Sequence, residues 1–164
     1  MASIFPGRYT AKIEGPFVVF LIGFRINRFF AFSKWLPVAK AMSPMLKELY
    51  QHPEMGFLGA QTFLYWRGIS TAQYWRSFEQ LHAYAHMREG IHLPAWAAFN
   101  RAIGNDGSVG IWHETFVVDA GSYESIYVNM PRFGLAEGAE HAPITGRSDT
   151  AKARLQDKET ADTV

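Results

Sequence analysis

The sequence predicts an α+β fold: a ferredoxin-like β-α-β-β-α-β order with an extra C-terminal strand, on an antiparallel sheet. Three observations carry this expectation. An apolar run, Phe17 to Phe24, follows Pro16 and is apolar on both alternating faces. Two amphipathic stretches, starting near Ser33 and Ser77, are separated by two strand-like segments. Turn signals, Arg67-Gly68 and Asn105-Asp106-Gly107, each precede a strand-like segment.

The first strand runs from Phe17 to about Asn27. Val18, Phe20, Ile22, Phe24 and Ile26 share one face; Phe17, Val19, Leu21, Gly23, Arg25 and Asn27 share the other. Only the second face turns polar, and only at its end, so Arg25 and Asn27 either border a pocket there or reach solvent past the sheet edge. Ser33 to Tyr50 is helical, with Ser33 as a cap, Pro37 in the first turn, and Val38, Met42, Met45, Leu46 and Leu49 as the apolar stripe. Pro44 kinks this helix or marks its true start. Gly56–Trp66 and Ile69–Trp75 follow as a hairpin, with Gly68 supplying the positive φ of the connection. Ser77 and Gln80 form a capping box that opens a second helical stretch reaching about Ile103, divided by Gly90 and Pro94. Val109–Val118 and Tyr123–Met130 close the order as strands.

One domain is the expectation for 164 residues. With 13 Phe, 7 Tyr and 5 Trp, aromatics make 15% of the chain, far from a disordered composition. None lies beyond Phe133. Residues 1–133 therefore read as the domain, and residues 134–164 as a polar, flexible C-terminal tail with a short helix near Thr150 to Lys158. A net charge of +1 argues against a nucleic-acid binder. The absence of cysteine excludes disulfides, thiolate metal sites and a cysteine nucleophile. The first residues lack the pattern of a secretory signal, and the longest apolar run is far short of the roughly 20 residues of a membrane span. A cytoplasmic protein, without membrane or nucleic-acid partners, is expected. A helix-covered sheet with aromatics on its other face needs a second cover, which a homodimer would supply.

Several segments resemble a known superfamily. Gln73-Tyr74-Trp75-Arg76-Ser77-Phe78-Glu79-Gln80-Leu81 is similar to the strand-to-helix junction of the antibiotic-biosynthesis-monooxygenase-like superfamily of dimeric α+β barrels. Gly110-Ile111-Trp112-His113-Glu114-Thr115 resembles its following strand. With Phe24-Arg25-Ile26-Asn27 and Tyr127 to Gly134, these segments resemble most an uncharacterised bacterial family known as monooxygenase-like. The likeness covers roughly residues 5–147. It implies a small-molecule oxidoreductase acting on an apolar or aromatic substrate. Haem-dependent aldoxime dehydration and non-catalytic binding of a small molecule or haem stand as alternatives on the same scaffold. By the same resemblance, Asn27, an aromatic (Trp75 or Tyr84) and His92 would take the haem-site positions, with His92 as the axial ligand.

The candidate catalytic residues are therefore Arg25, Asn27, His92, His113 and Glu114, with Trp75, Tyr84, Trp96 and Tyr127 lining the site. His92, Trp96 and Phe99 share one helical face. His92 either points into the barrel or packs at a helix start. His113 and Glu114 are adjacent in a strand and must face opposite sides; whichever faces the interior is a candidate acid or base. Arg25 is the expected partner of Glu114. His82 and His86, at i and i+4, have the spacing of a metal pair, but no third ligand follows, so a solvated helix face is the competing reading. Gln61 and Gln73 are strand polars that would orient a flat ligand if they face the cavity. There is no Gly-rich phosphate loop and no G-x-S-x-G.

Overall fold

A computed structural model describes residues 3–87 and 105–156. In it the chain forms β1 (Phe5–Lys12), β2 (Phe17–Ile26), α1 (Phe32–Gln51), β3 (Phe57–Tyr65), β4 (Gly68–Trp75), α2 (Phe78–His86), β5 (Val109–Val118), β6 (Tyr127–Met130), β7 (Glu140–Pro143) and α3 (Ala151–Gln156). Strands β3-β4-β2-β5 make one antiparallel sheet in that order, with β2 and β4 central. This is the ferredoxin-like arrangement read from the sequence. The extra strand β6 does not extend it. It joins β1 and β7 in a separate sheet of order β6-β1-β7.

The register fixes the faces. Val18, Phe20, Ile22 and Phe24 stand opposite Trp75, Gln73, Thr71 and Ile69 of β4, and opposite Val117, Thr115, His113 and Ile111 of β5. Residues directly opposite share a face. This face meets the helices: Val18, Leu49, Phe57, Trp75, Leu81 and Tyr84 form one buried cluster, and Phe24, Ile26, Val38 and Val109 another. On the other face Phe17 packs with Ala11, Leu135 and Ala136, and Val19, Tyr74 and Tyr127 close around them. The chain's own small sheet thus covers one end of the face expected to lie bare. The rest is less covered: Leu21 and Trp112 are half-buried, and Glu114 and Phe116, on the edge strand β5, are exposed, Phe116 to 50%. Gly23 permits close packing here, because a Cβ would come within 2.9 Å of the Trp112 ring and of Ser70 Cβ.

Local expectations for α1 and for the hairpin are corrected. Helix α1 begins at Phe32 behind Ala31, so Ser33 is not its cap, and both Pro37 and Pro44 lie inside it. In the hairpin, Arg67 and not Gly68 takes the positive φ, 67°. Its guanidinium donates to Ile26 O (2.8 Å) and Asn27 O (2.6 Å), offsetting the strain. Gly68 is needed for space: a Cβ would lie 2.1 Å from Phe24 O. Ser77 caps α2 by accepting from Gln80 N at 3.2 Å.

The segment expected to be a flexible tail carries, within 134–156, a 3-10 turn (Gly134–Glu137), β7 and α3. Small residues do there what aromatics do elsewhere: Gly134, Leu135, Ala136 and Ala142 are buried, and β7 pairs with β1. Buried Arg154 binds Glu124 and donates to the carbonyls of Ser148 and Asp149, both at 3.0 Å. A buried cation with this many acceptors holds a segment in place despite low apolar content.

Candidate active site

The sheet, α1 and α2 enclose a cavity of about 420 Å³. That is within the range of small-molecule sites. Phe20, Ile22 and Phe24 of β2 form its base, Val38, Met42 and Met45 of α1 one wall, and Phe78, Leu81 and Tyr84 of α2 another. Among the described residues that line it there is no Lys, Arg, Asp or Glu. These described walls favour an uncharged ligand, since a charge would be desolvated against them.

Two sets of polar groups stand out. On β4, fully buried Trp75 donates its indole N–H to Gln73 Oε1 at 3.1 Å, and Gln73 Nε2 donates to Thr71 Oγ1 at 3.4 Å. Alternation along one strand puts all three on the cavity face. Nearby, the Tyr84 hydroxyl donates to Glu48 Oε2 at 3.2 Å. Burial, reinforced by the Glu48 charge, pushes this phenol well above its ordinary range, so it stays a neutral donor.

The second set is three exposed imidazoles: His82 and His86 on α2, and His113 on β5. The two helix histidines stack with centroids 4.1 Å apart. His86 Nδ1 lies 2.8 Å from His82 O. A carbonyl can only accept, so Nδ1 carries the proton and the neutral ring keeps its lone pair on Nε2. His113 stands opposite Ile22, its ring 5.6 Å from that of Phe20. The i, i+4 spacing of His82 and His86 is therefore a cavity wall rather than a purely solvated face. No group of three or more metal-binding side chains occurs among the described residues.

The structure brings together His113, Trp75 and Tyr84 of the expected site and separates the others. Glu114 faces the opposite side of the sheet from His113, as alternation requires. The pairing of Arg25 with Glu114 is not made: Arg25 is exposed on that same opposite face and donates to Asn27 Oδ1 at 2.8 Å. Asn27 lies just past the end of β2, and its Nδ2 donates to Gly107 O at 3.1 Å, closing the turn before β5. The polar end of the second face is thus a turn anchor and not the pocket. Tyr127 belongs to the small sheet and packs with Leu135. Gln61 donates to Glu137 Oε1 at 2.6 Å on the non-helix face. His92 and Trp96 lie outside the described residues. The sequence signal for the buried set was the T-x-Q-x-W spacing of Thr71, Gln73 and Trp75. A buried indole donor needs an acceptor, and strand periodicity supplies Gln73.

The haem implied by the resemblance finds a partial match. Three imidazoles and apolar walls suit haem ligation, while none of the described lining residues is a cation that would meet the propionates.

Known proteins share this architecture. Two crystallised aldoxime dehydratases, one in complex with butyraldoxime, superpose with TM-scores of 0.66 at 17% and 18% identity. They match 85% and 87% of this chain, which spans 45% of each of theirs. At that identity the likeness is one of fold. Monooxygenase af470 of Aspergillus fumigatus is 28% identical over 188 residues, covering 99% of this chain. The chain spans 64% of that relative's length. The model of the monooxygenase af470-like family matches residues 17–135, from the first strand of the main sheet to Leu135, which packs on the non-helix face. The chain belongs to the monooxygenase af470-like family.

Proposed function

We propose that this protein is a monooxygenase-like oxidoreductase that oxygenates a small, uncharged, apolar or aromatic molecule inside the helix-face cavity. The observation that carries the reading is the cavity itself, about 420 Å³ with apolar walls, a buried polar floor and three imidazoles. Family membership and the fold support it. The reaction needs a substrate carbon made acidic by flanking rings or carbonyls. His86, whose Nε2 is the free basic nitrogen, takes the carbon-bound proton, with His113 as the second imidazole. The resulting carbanion reduces dioxygen directly. A CH₂ becomes C=O, one oxygen atom enters the product, the other leaves as water, and no outside reductant is consumed.

Anthrone, a flat tricycle with an acidic CH₂, tests this in an oxygen electrode with haem-free protein. The expected result is one O₂ consumed per anthraquinone formed, falling by about 10²-fold or more in His86→Ala or His113→Ala. Oxygen uptake no faster than in buffer overturns the reading.

A second reading is a haem-dependent lyase of the aldoxime dehydratase type. The shared fold and the cavity imidazoles favour it. It requires a Soret band on adding haemin and nitrile formation from butyraldoxime. A flat visible spectrum rejects it.

We also propose a homodimer in which a second copy packs on the less covered part of the non-helix face, around Leu21, Trp112 and Phe116. Support comes from the exposure of Phe116 (50%) and Phe63 (43%) on that face. A monomeric mass at micromolar concentration contradicts it.

A further inference from the structure

We propose that Gln73 is the residue that selects and orients the ligand, by donating a hydrogen bond from Nε2 to a carbonyl oxygen on an otherwise apolar molecule. The inference rests on the cavity being the ligand site, as argued above, and adds which ligand chemistry it takes and which atom reads it.

The amide's orientation is forced. Trp75 is fully buried, and its indole N–H is a donor only, so the Gln73 atom facing it must be Oε1. Nε2 then points the other way, with two hydrogens to place. One reaches Thr71 Oγ1, at a long 3.4 Å. The other finds Met42 Sδ at 3.9 Å. A thioether is a weak acceptor, and Met42 is an adaptable cavity-wall side chain. Gln73 is 4% exposed, so water gives this N–H little relief. The cavity therefore has at its floor an under-satisfied donor whose direction is locked by a neighbour. A carbonyl oxygen gains a real hydrogen bond by displacing the sulfur contact. A hydrocarbon of the same shape gains nothing, and a second donor meets repulsion. Selection thus favours ketones and quinone-like molecules over their deoxygenated analogues.

Fluorenone and fluorene are flat tricycles that differ by C=O against CH₂, and titration of both into the full-length protein tests the proposal. Wild type should bind fluorenone about two- to tenfold more tightly, the worth of one net hydrogen bond. Gln73→Met, close in volume and still a weak acceptor for the indole, should erase the preference while leaving fluorene affinity within twofold. The infrared carbonyl stretch of fluorenone bound to wild type, which needs no variant, should lie below its position in hydrocarbon solvent. Equal affinities with an unshifted stretch overturn the role of Gln73 and leave the cavity reading standing. Failure of both tricycles to bind overturns the cavity reading and this inference with it.

Discussion

The two faces of the four-stranded sheet are built from the same ten residues of β2, yet they end as different surfaces. On the helix face, Val18 and Phe24 are buried, while α1 and α2 stand off far enough between them to leave a cavity with polar side chains in its floor. On the opposite face, Phe17 and Val19 meet the small sheet in close packing, and the rest is less covered. The difference comes from what covers each face. Helices carrying histidine, methionine and tyrosine leave room for a ligand. A second sheet, together with the Gly134-Leu135-Ala136 turn beside it, fills the space. Covering chemistry, more than strand composition, decides where a site can form.

Trp75→Ala breaks the helix face most severely. It empties a fully buried site and strips Gln73 of its partner, so a loss of about 3–5 kcal/mol is expected in chemical denaturation. Leu135→Ala attacks the opposite face alone. About 2–4 kcal/mol should be lost in denaturation, with fluorenone affinity unchanged, because Leu135 packs between the small sheet and the non-helix face of the main sheet, away from the cavity. A change in ligand affinity there would mean the faces are coupled. Ser77→Ala removes the cap of α2, the helix that carries His82 and His86, and should cost about 1 kcal/mol.

The smallest effect is a pH dependence confined to the small sheet. His141 stacks on Tyr9 at 4.4 Å and meets Phe5 and Tyr127 edge-on. Both its ring nitrogens are buried without a hydrogen-bond partner among the described residues. Burial, with Arg132 nearby, holds its pKa below the ordinary histidine value. A base depressed in the folded state takes up its proton more readily when unfolded. Stability is then complete above the unfolded value, near 6.5, and falls as pH drops below it. Thermal midpoints at pH 8 and pH 5 should show the loss, and His141→Phe should reduce it. An unchanged slope in that variant would place the titration elsewhere.

Much of the main sheet was legible because each strand is long, apolar and bounded by turn residues. β1 and β7 were not. Phe5–Lys12 carries Pro6, Gly7 and Arg8 in its first half, and β7 is four residues, Glu-His-Ala-Pro. Neither shows the alternation that marks a half-buried strand. The packing within 134–156 was hidden because Leu135, Ala136 and Ala142 bury little area each, and because the Arg154–Glu124 pair joins residues 30 apart. At the site, alternation fixed that His113 and Glu114 point apart, but only the register with β2 shows that His113 shares the face of Ile22. Arg25 and Asn27 marked a polar strand end correctly, yet their partners are each other and the Gly107 carbonyl.

Intermolecular NOEs from bound fluorenone to methyl-labelled protein test the central claim most directly, because each face has its own methyl reporters. The account predicts contacts to Met42, Met45 and Ile111, which line the helix-face cavity. Contacts to Leu21 or Leu135 instead, on the opposite face of the sheet, would contradict it.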